Sequence, residues 1–388
     1  MSGDNPLRIG LVTGEYPPMQ GGVGDFTQAL AHALVALGVE IHVITGRSAR
    51  PPASALPAPS THPIISRWSF LALWQIRRLA QHLNLQLLNV QYQAAAFQLG
   101  APIHFLPKIT GRPTVVTFHD LRIPYLFPKA GRLREGAVTY LARSAAGVIA
   151  TDLADEAELK RRGGLRALTQ IPIGSNIDPA PPAHYDRAAW RGRANIGQRE
   201  FLIGYFGFLN ESKGGDTLMS ALAILQDRQA NAKLALIGGQ TGASDPTNAV
   251  FNAKIERLIT RYGLENRIFR TGFLDQAAVS AWLLACDAVV LPYRDGVSLR
   301  RGTLMAALAH GRPVITTTPH VPLPGFVDGE NIRFVPPEDA PALVLAISQL
   351  LEAPELRAQM GERAQRLARQ FEWPAIAAQT LAFYRQAL

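Results

Sequence analysis

Arg8-Ile9-Gly10-Leu11-Val12-Thr13, then Gly14-Glu15-Tyr16-Pro17-Pro18, then Gly21-Gly22-Val23-Gly24: this stretch decides how the chain folds. The first run is apolar and of strand length. The loop after it holds too much Gly and Pro to be regular. A helical pattern starts at once beyond the loop, with Phe26, Leu30, Ala33, Leu34 and Leu37 on one stripe. Asp25 stands in its first turn, where negative charge suits the helix dipole. Such a loop brings bare backbone N–H groups to a helix N-terminus, where a phosphate or sugar oxygen can be held with no side chain in the way. A tight turn without any ligand has the same composition.

The same alternation continues outward. Candidate strands are Leu7–Thr13, Glu40–Thr45, Leu85–Val90, Pro113–Phe118, Gly147–Ala150 and Leu168–Ile171, with helices at Asp25–Leu37, Phe70–His82 and Arg132–Arg143. Ala49–Pro63 reads as a loop, and Gly174 to Arg199 as the best linker candidate. The rhythm then restarts. Strands are expected at Phe201–Phe206, Lys233–Ile237, Arg267–Arg270, Ala288–Pro292, Pro313–Thr317 and Arg333–Val335. Helices are expected at Lys213–Asp227, Thr247–Tyr262, Gln276–Ala285, Gly302–His310, Ala340–Leu351, Pro354–Arg369 and Trp373–Leu388. Alternation in both halves predicts an α/β chain with two doubly wound parallel sheets, residues 1–178 and 199–373, facing each other across a cleft.

Composition agrees. A chain of 388 residues is long for one core, and 47% hydrophobic against 18% charged residues fits a globular protein with large buried sheets. The 39 basic and 30 acidic residues, a formal +9, point to an anionic partner: nucleotide phosphates, an anionic lipid surface or nucleic acid. No nucleic-acid recognition module is evident and the basic residues are dispersed, so nucleic acid is not expected. Cys286 is the only cysteine, which excludes an intrachain disulfide and a cysteine metal cluster. Its apolar surroundings read as a buried, inert thiol. Arg8 and Glu15 break the first apolar run, so no secretory leader is expected. No uncharged apolar stretch reaches the roughly 18–20 residues of a membrane span. A cytoplasmic setting, peripheral at the inner membrane face, is the expectation.

Several loops carry candidate chemistry. Gly207-Phe208-Leu209-Asn210-Glu211-Ser212-Lys213-Gly214 comes after the first strand of the second half, and Lys213 there suits a diphosphate as a point charge. Arg300 and Arg301 precede a helix starting near Gly302, where positive charge is unfavourable unless an anion joins it. His119 stands where the strand Pro113–Phe118 ends, placed for a ligand or for a structural role. Tyr125, Phe127 and Lys129 lie in an apolar, aromatic and basic stretch suited to an acceptor or a membrane, or to packing on their own domain. No Gly-x-x-x-x-Gly-Lys-Ser/Thr loop, His-Glu-x-x-His or Gly-x-Ser-x-Gly occurs. No Asp-x-Asp pair of the kind that bridges a metal to a diphosphate is seen, so no metal is expected and cations and helix ends carry the phosphate charge.

Glu15-Tyr16-Pro17-Pro18 with Gly21-Gly22-Val23-Gly24, His119-Asp120, Ile171-Pro172-Ile173-Gly174, Gly207 to Gly214, Gly238-Gly239, Thr271-Gly272-Phe273 and Ala309-His310-Gly311-Arg312-Pro313-Val314 occur in the order of one family. Together they resemble glycosyltransferase family 4, the glycosyl transferases group 1, with its GT-B fold. The resemblance implies a retaining hexosyltransferase with a nucleotide-diphosphate sugar as co-substrate, no further cofactor, and a glycan, lipid-linked or small-molecule acceptor. It implies donor contacts at Gly21, Gly22, Gly24, Gly207, Gly239, Gly272, Phe273, Ser298, Gly302 and Thr303. His119 would hydrogen-bond the donor sugar and Lys213 would stabilise the leaving diphosphate. The last helix, 374–388, would return to the first domain.

Two family features are missing. The paired glutamates fall on Ser298 and Ala306, and the arginine after Gly207 is Phe208. Arg300 or Arg301 is the expected substitute for that positive charge. The alternative expectation is a non-catalytic nucleotide-sugar or glycan-binding subunit of polysaccharide assembly.

Overall fold

The computed structural model describes residues 6–19, 21–50, 58–121, 131–175, 177–239 and 246–388. The chain divides into two units, Met1–Asn176 with Glu372–Leu388, and Ile177–Phe371. The first unit runs β1 (Arg8–Thr13), α1 (Gly22–Ala36), β2 (Glu40–Gly46), β3 (Ser60–Ile65), α2 (Phe70–His82), β4 (Leu87–Tyr92), a 3₁₀ turn at Ala101–Phe105, α3 (Leu106–Thr110), β5 (Thr114–Phe118), α4 (Gly131–Ser144), β6 (Gly147–Ala150), α5 (Leu153–Arg162) and β7 (Leu168–Gln170). The second runs α6 (Arg187–Gly192), β8 (Phe201–Phe206), α7 (Gly215–Asp227), β9 (Ala232–Ile237), α8 (Pro246–Tyr262), β10 (Ile268–Arg270), α9 (Gln276–Ala285), β11 (Ala288–Leu291), α10 (Gly302–Ala309), β12 (Val314–Thr317), β13 (Arg333–Val335), α11 (Ala340–Glu352) and α12 (Pro354–Ala368). Helix α13 (Trp373–Ala387) belongs to the first unit.

Both sheets are parallel. Their strand orders are β3-β2-β1-β4-β5-β6-β7 and β10-β9-β8-β11-β12-β13. The order reverses between β1 and β4 in one sheet and between β8 and β11 in the other, the crevice positions where open α/β sheets hold ligands. Side chains alternate across the first sheet. Ile9, Leu11, Leu87 and Val115 pack under α1 and α13 with Leu30, Leu34, Ile376 and Tyr384. Val12, Leu88, Val90 and Val116 face the other way, against Leu73, Ile76 and Leu141. Two covered faces explain why these strands read as continuous apolar runs. Each such Leu or Ile contributes about 1.5–3 kcal/mol by leaving water. Helix α13 is fixed by Phe383, whose ring fills the place a Cβ at Gly147 would take, and by Trp373 Nε1, which donates to Ser175 O at 2.6 Å. In the second unit, Cys286 at the end of α9 is buried and its Sγ donates to Trp282 O at 3.2 Å.

The structure departs from the sequence reading at four places. The loop expected at Ala49–Pro63 ends in a strand, β3, that pairs in parallel with β2 at the sheet edge. Pro63 lacks an N–H but an edge strand needs none on its outer side, so the proline hid the strand without preventing it. Strand β4 lies two residues later than expected, because polar Gln91 continues it and is wholly buried. Helix α5 was not expected, since only Leu153 and Leu159 among its residues are large and apolar. Its signal is the Asp152 carboxylate, which accepts from Ala154 N–H at 2.9 Å, with acids in the first turn and bases in the last. The stretch expected as a linker belongs to the second unit from Ile177 onward. Its anchor is Arg191 on α6, fully buried, which binds Asp287 at 3.0 Å, Ala285 O at 3.1 Å and Gly197 O at 2.9 Å.

Candidate functional site

In the second unit the candidate residues collect where β8 and β11 end. After β8 the chain turns through Gly207, whose φ of +114 lies outside the usual range of a side-chain-bearing residue. A Cβ there would stand 3.0 Å from Lys213 Nζ and 3.1 Å from Thr303 Cγ2. Gly207, Lys213 and Thr303 therefore share one corner. A short 3₁₀ turn, Glu211–Lys213, aims the lysine; Asn210 caps it, its Oδ1 accepting from Lys213 N–H at 3.1 Å. Gly214 closes the turn with φ +66, and a Cβ there would meet Pro292 O at 1.9 Å. Only glycine fits.

The electrostatics of this corner are one-sided. Burial, and then the nearby Arg301 guanidinium, bring the Lys213 ammonium down to about 8. Among the described residues Lys213 has no carboxylate partner. Arg301 lies 4.4 Å from the centre of the Tyr293 ring and pairs with Asp295. Tyr293 Oη and Thr303 Oγ1 are hydrogen-bonded at 2.7 Å. Helix α10 begins beside them at Gly302 with no side-chain cap. Two cations, a hydroxyl and open helix N–H groups thus converge, and one carboxylate offsets only one of the cations. Ser298 carries no charge here; its carbonyl accepts from Arg301 N–H at 3.3 Å. Ala306 is wholly buried in α10, and Phe208 offers its ring, 5.9 Å from Lys213 Nζ. Of the two adjacent arginines, Arg301 is the one whose charge acts on Lys213.

Farther along the same sheet edge, Gly238 N–H donates to Thr271 Oγ1 at 3.0 Å, and Gly238 bridges Gly272 across β9 and β10. Gly239 faces the Phe208 ring, a built Cβ lying 3.5 Å from Phe208 Cε1. Gly272 has open space where a side chain would stand, and Phe273 is 80% exposed. Glycines keep this edge free of side chains from Gly272 through Gly239 to Gly207, while part of its backbone is bonded: Gly207 N–H donates to Ile237 O at 3.0 Å and Gly272 O accepts from Thr271 Oγ1 at 2.9 Å.

In the first unit, His119 comes directly after β5 and rests edge-on against Phe26 of α1, ring centres 4.7 Å apart. That contact places it beside the Gly21–Gly24 helix start. Its Nε2 is 2.9 Å from Gln91 Oε1. The network behind Gln91 fixes which nitrogen carries the proton. Gln91 Nε2 donates to Asn89 Oδ1, which also accepts from Tyr384 Oη at 3.0 Å; Asn89 Nδ2 donates to Thr117 Oγ1 at 3.0 Å. Gln91 Oε1 is left to accept, so the imidazole holds its proton on Nε2 and presents Nδ1 as an acceptor. Burial brings the imidazole down to about 3, which keeps it neutral. Asn89, Gln91 and Tyr384 were missed in the sequence. Their signal was an i, i+2 polar pair inside an otherwise apolar strand.

The glycine loop holds acids of its own. A Cβ at Gly21 would lie 2.1 Å from Glu15 Oε2, so this carboxylate rests against the start of α1. Burial, and then Asp25, push Glu15 above the usual carboxylate range. Gly24 packs on the Glu15 backbone, and Gly22 is open. Two carboxylates at this helix end suit the hydroxyls of a sugar better than a diphosphate. Tyr125, Phe127 and Lys129 lie outside the described residues. Among the described residues no cluster of three His, Cys, Asp or Glu has the spacing for a metal, and no helix is long and apolar enough to cross a membrane.

Two parallel-sheet α/β units with glycine-lined strand ends are the make-up of the GT-B fold. Comparison with known proteins gives the family: residues 186–367 match glycosyl transferases group 1, residues 20–178 match glycosyltransferase family 4, and the chain belongs to that family. It is similar to the D-inositol 3-phosphate glycosyltransferase of Arthrobacter sp. (strain FB24), 26% identical with 98% of this chain and 95% of the relative covered. It is also similar to the alpha-D-kanosaminyltransferase of Streptomyces kanamyceticus, 26% identical over 73% of each chain. Among solved structures it resembles sucrose-phosphate synthase from Thermosynechococcus elongatus, TM-score 0.76, 22% identity, 98% of each chain. It likewise resembles Anabaena HepE in complex with UDP and glucose, TM-score 0.75, 21% identity, covering 98% of this chain and 100% of that one.

Proposed function

We propose that the chain is a retaining, metal-independent hexosyltransferase that takes a sugar from a nucleotide-diphosphate donor to a glycan, lipid-linked or small-molecule acceptor. The observation that carries this reading is the Lys213 ammonium: desolvated, crowded by Arg301, with no carboxylate partner among the described residues, and beside an uncapped helix start. A dianionic diphosphate relieves that crowding and takes the free N–H groups of α10. The edge at Gly239, Gly272 and exposed Phe273 suits the base and ribose. Within the first unit, His119 Nδ1 is an acceptor suited to a sugar hydroxyl, and Gly22 leaves the start of α1 open, whereas Glu15 fills the space beside Gly21 and Gly24. In the reaction the bond from the anomeric carbon to the phosphate oxygen breaks. The bond to the acceptor oxygen forms on the same face, and the acceptor proton passes to the leaving phosphate oxygen. Lys213 and Arg301 offset the charge that develops there. The named relatives, and HepE solved with UDP and glucose, support a sugar nucleotide as donor.

A second reading rests on Ser298 and Ala306: with no carboxylate at either place, the chain binds a sugar nucleotide but does not transfer. Incubation with UDP-, GDP- and ADP-hexoses in the presence of a chelator separates the two. The first reading predicts release of one nucleoside diphosphate and a product of unchanged anomeric configuration. Binding of a donor with no release from any of them, with or without acceptors, establishes the second.

A further inference from the structure

Residues 41–119 contain no Asp or Glu, yet they carry Arg47, Arg50, Arg67, Arg77, Arg78, Lys108 and Arg112. At the chain's average of 30 acids in 388 residues, about six acids belong in a segment of that length. Within this segment lies α2. At 100° per residue, Ala72, Leu73, Ile76 and Ala80 share the buried side. Phe70, Leu71, Trp74 and Arg78 fall on the opposite arc, and half-buried Arg77 lies at its flank, donating to Ile109 O at 3.1 Å. Phe70 is 53% exposed, Leu71 68% and Trp74 50%, so three large apolar groups stand in water on one helix face. Phe70 continues into the exposed Phe105 at 5.7 Å, and Phe105 into Tyr140 of α4 at 5.3 Å. The Arg77 guanidinium lies 5.1 Å from the Trp74 ring, and Arg67, Arg78 and Lys108 are exposed around the patch. Helix α4, which supplies Tyr140, also carries the exposed acid Glu135.

A patch of this kind on a folded chain marks a contact surface. We propose that the α2 face seats the first unit on an anionic lipid bilayer, with Phe70, Leu71 and Trp74 entering the headgroup layer and the arginines meeting lipid phosphates. Charge decides the occupant. Protein surfaces carry both signs, whereas an anionic bilayer presents one and matches a surface cleared of acids. Aromatic side chains with basic neighbours are the interfacial composition. The proposal goes beyond the transferase reading and does not depend on it.

The test is flotation of the full chain with vesicles of phosphatidylcholine alone and with about one third phosphatidylglycerol, at about 50 mM and 500 mM salt. Wild type should float with the anionic vesicles at low salt and less at high salt. Arg67→Gln/Arg78→Gln, which removes two exposed cations, should weaken binding about thirtyfold. Phe70→Ser/Leu71→Ser/Trp74→Ser should abolish it, and circular dichroism confirms that the variant is folded. No flotation of wild type at low salt overturns the proposal, as does flotation indifferent to both variants. A wild-type dimer that the triple variant dissolves, with no flotation, identifies the face as a contact between copies and also overturns it. Donor turnover in solution should not change in either variant, so failure here is separable from failure of the transferase reading.

Discussion

Replacing His119 with glutamine should remove a pH dependence from the stability of this chain. Burial holds the folded imidazole at about 3, against 6.5 for an ordinary histidine. Below 6.5 the unfolded chain takes up a proton that the folded chain refuses until about 3. Stability from this group is therefore complete above pH 6.5 and falls as pH drops through the window, by about 1.4 kcal/mol per unit. Between pH 7 and pH 5 the wild type should lose about 2 kcal/mol that the variant keeps. Urea denaturation of both proteins at the two pH values reads the difference, and all other titrating groups cancel. Nitrogen NMR of labelled histidine gives the second readout, a neutral ring protonated at Nε2 across this range. Equal pH dependence in the two proteins, or a His119 that titrates near 6.5, refutes the reasoning. So does a ring protonated at Nδ1, because the orientation of Gln91 and Asn89 permits only the other tautomer.

Lys213, brought down to about 8, should give kcat/KM an alkaline limb near pH 8, seen in a pH profile with the true donor. A bound diphosphate stabilises the ammonium, so the matching limb in kcat should lie at higher pH. Gly214→Ala sets a Cβ against Pro292 O at a positive φ and should cost at least about 2 kcal/mol in chemical denaturation, with loss of nucleotide binding as the Lys213 turn shifts. Tyr384→Phe removes one of the donors to Asn89 and should destabilise the first unit by about 1 kcal/mol, without changing the affinity of the second unit for a nucleoside diphosphate; calorimetric titration beside a urea curve checks both.

Most of the fold was legible because parallel strands covered on both faces are largely apolar: β8 and β11 are so throughout, and β1 and β5 carry apolar residues beside a few polar ones. The signal failed where an element is held by something other than an apolar stripe. β3 contains a proline tolerated only at an edge, and α5 is set by its Asp152 cap and its charge order. Lys213 and His119 were visible as polar residues just past strand ends, where loop position alone suggests a ligand. Their settings were not. The pairing of Arg301 with Asp295 runs through irregular backbone that has no period to read. The Gln91–Asn89–Tyr384 network joins positions 295 residues apart, and only folding brings α13 under β4. The departures at Phe208, Ser298 and Ala306 were plain in the sequence, as was the Arg300–Arg301 pair proposed to offset them; that Arg301 is the one whose charge reaches Lys213 needed coordinates.

The central claim is that a diphosphate is gripped at the β8–β11 corner by Lys213 and Arg301. Calorimetric titration of UDP, GDP and ADP into wild type and Lys213→Ala, with chelator present, tests it most directly. One of the three should bind wild type, and the alanine variant should bind it at least about tenfold more weakly, the share of one charge-assisted contact. Equal affinity in the two proteins, or no binding of any diphosphate to wild type, contradicts it.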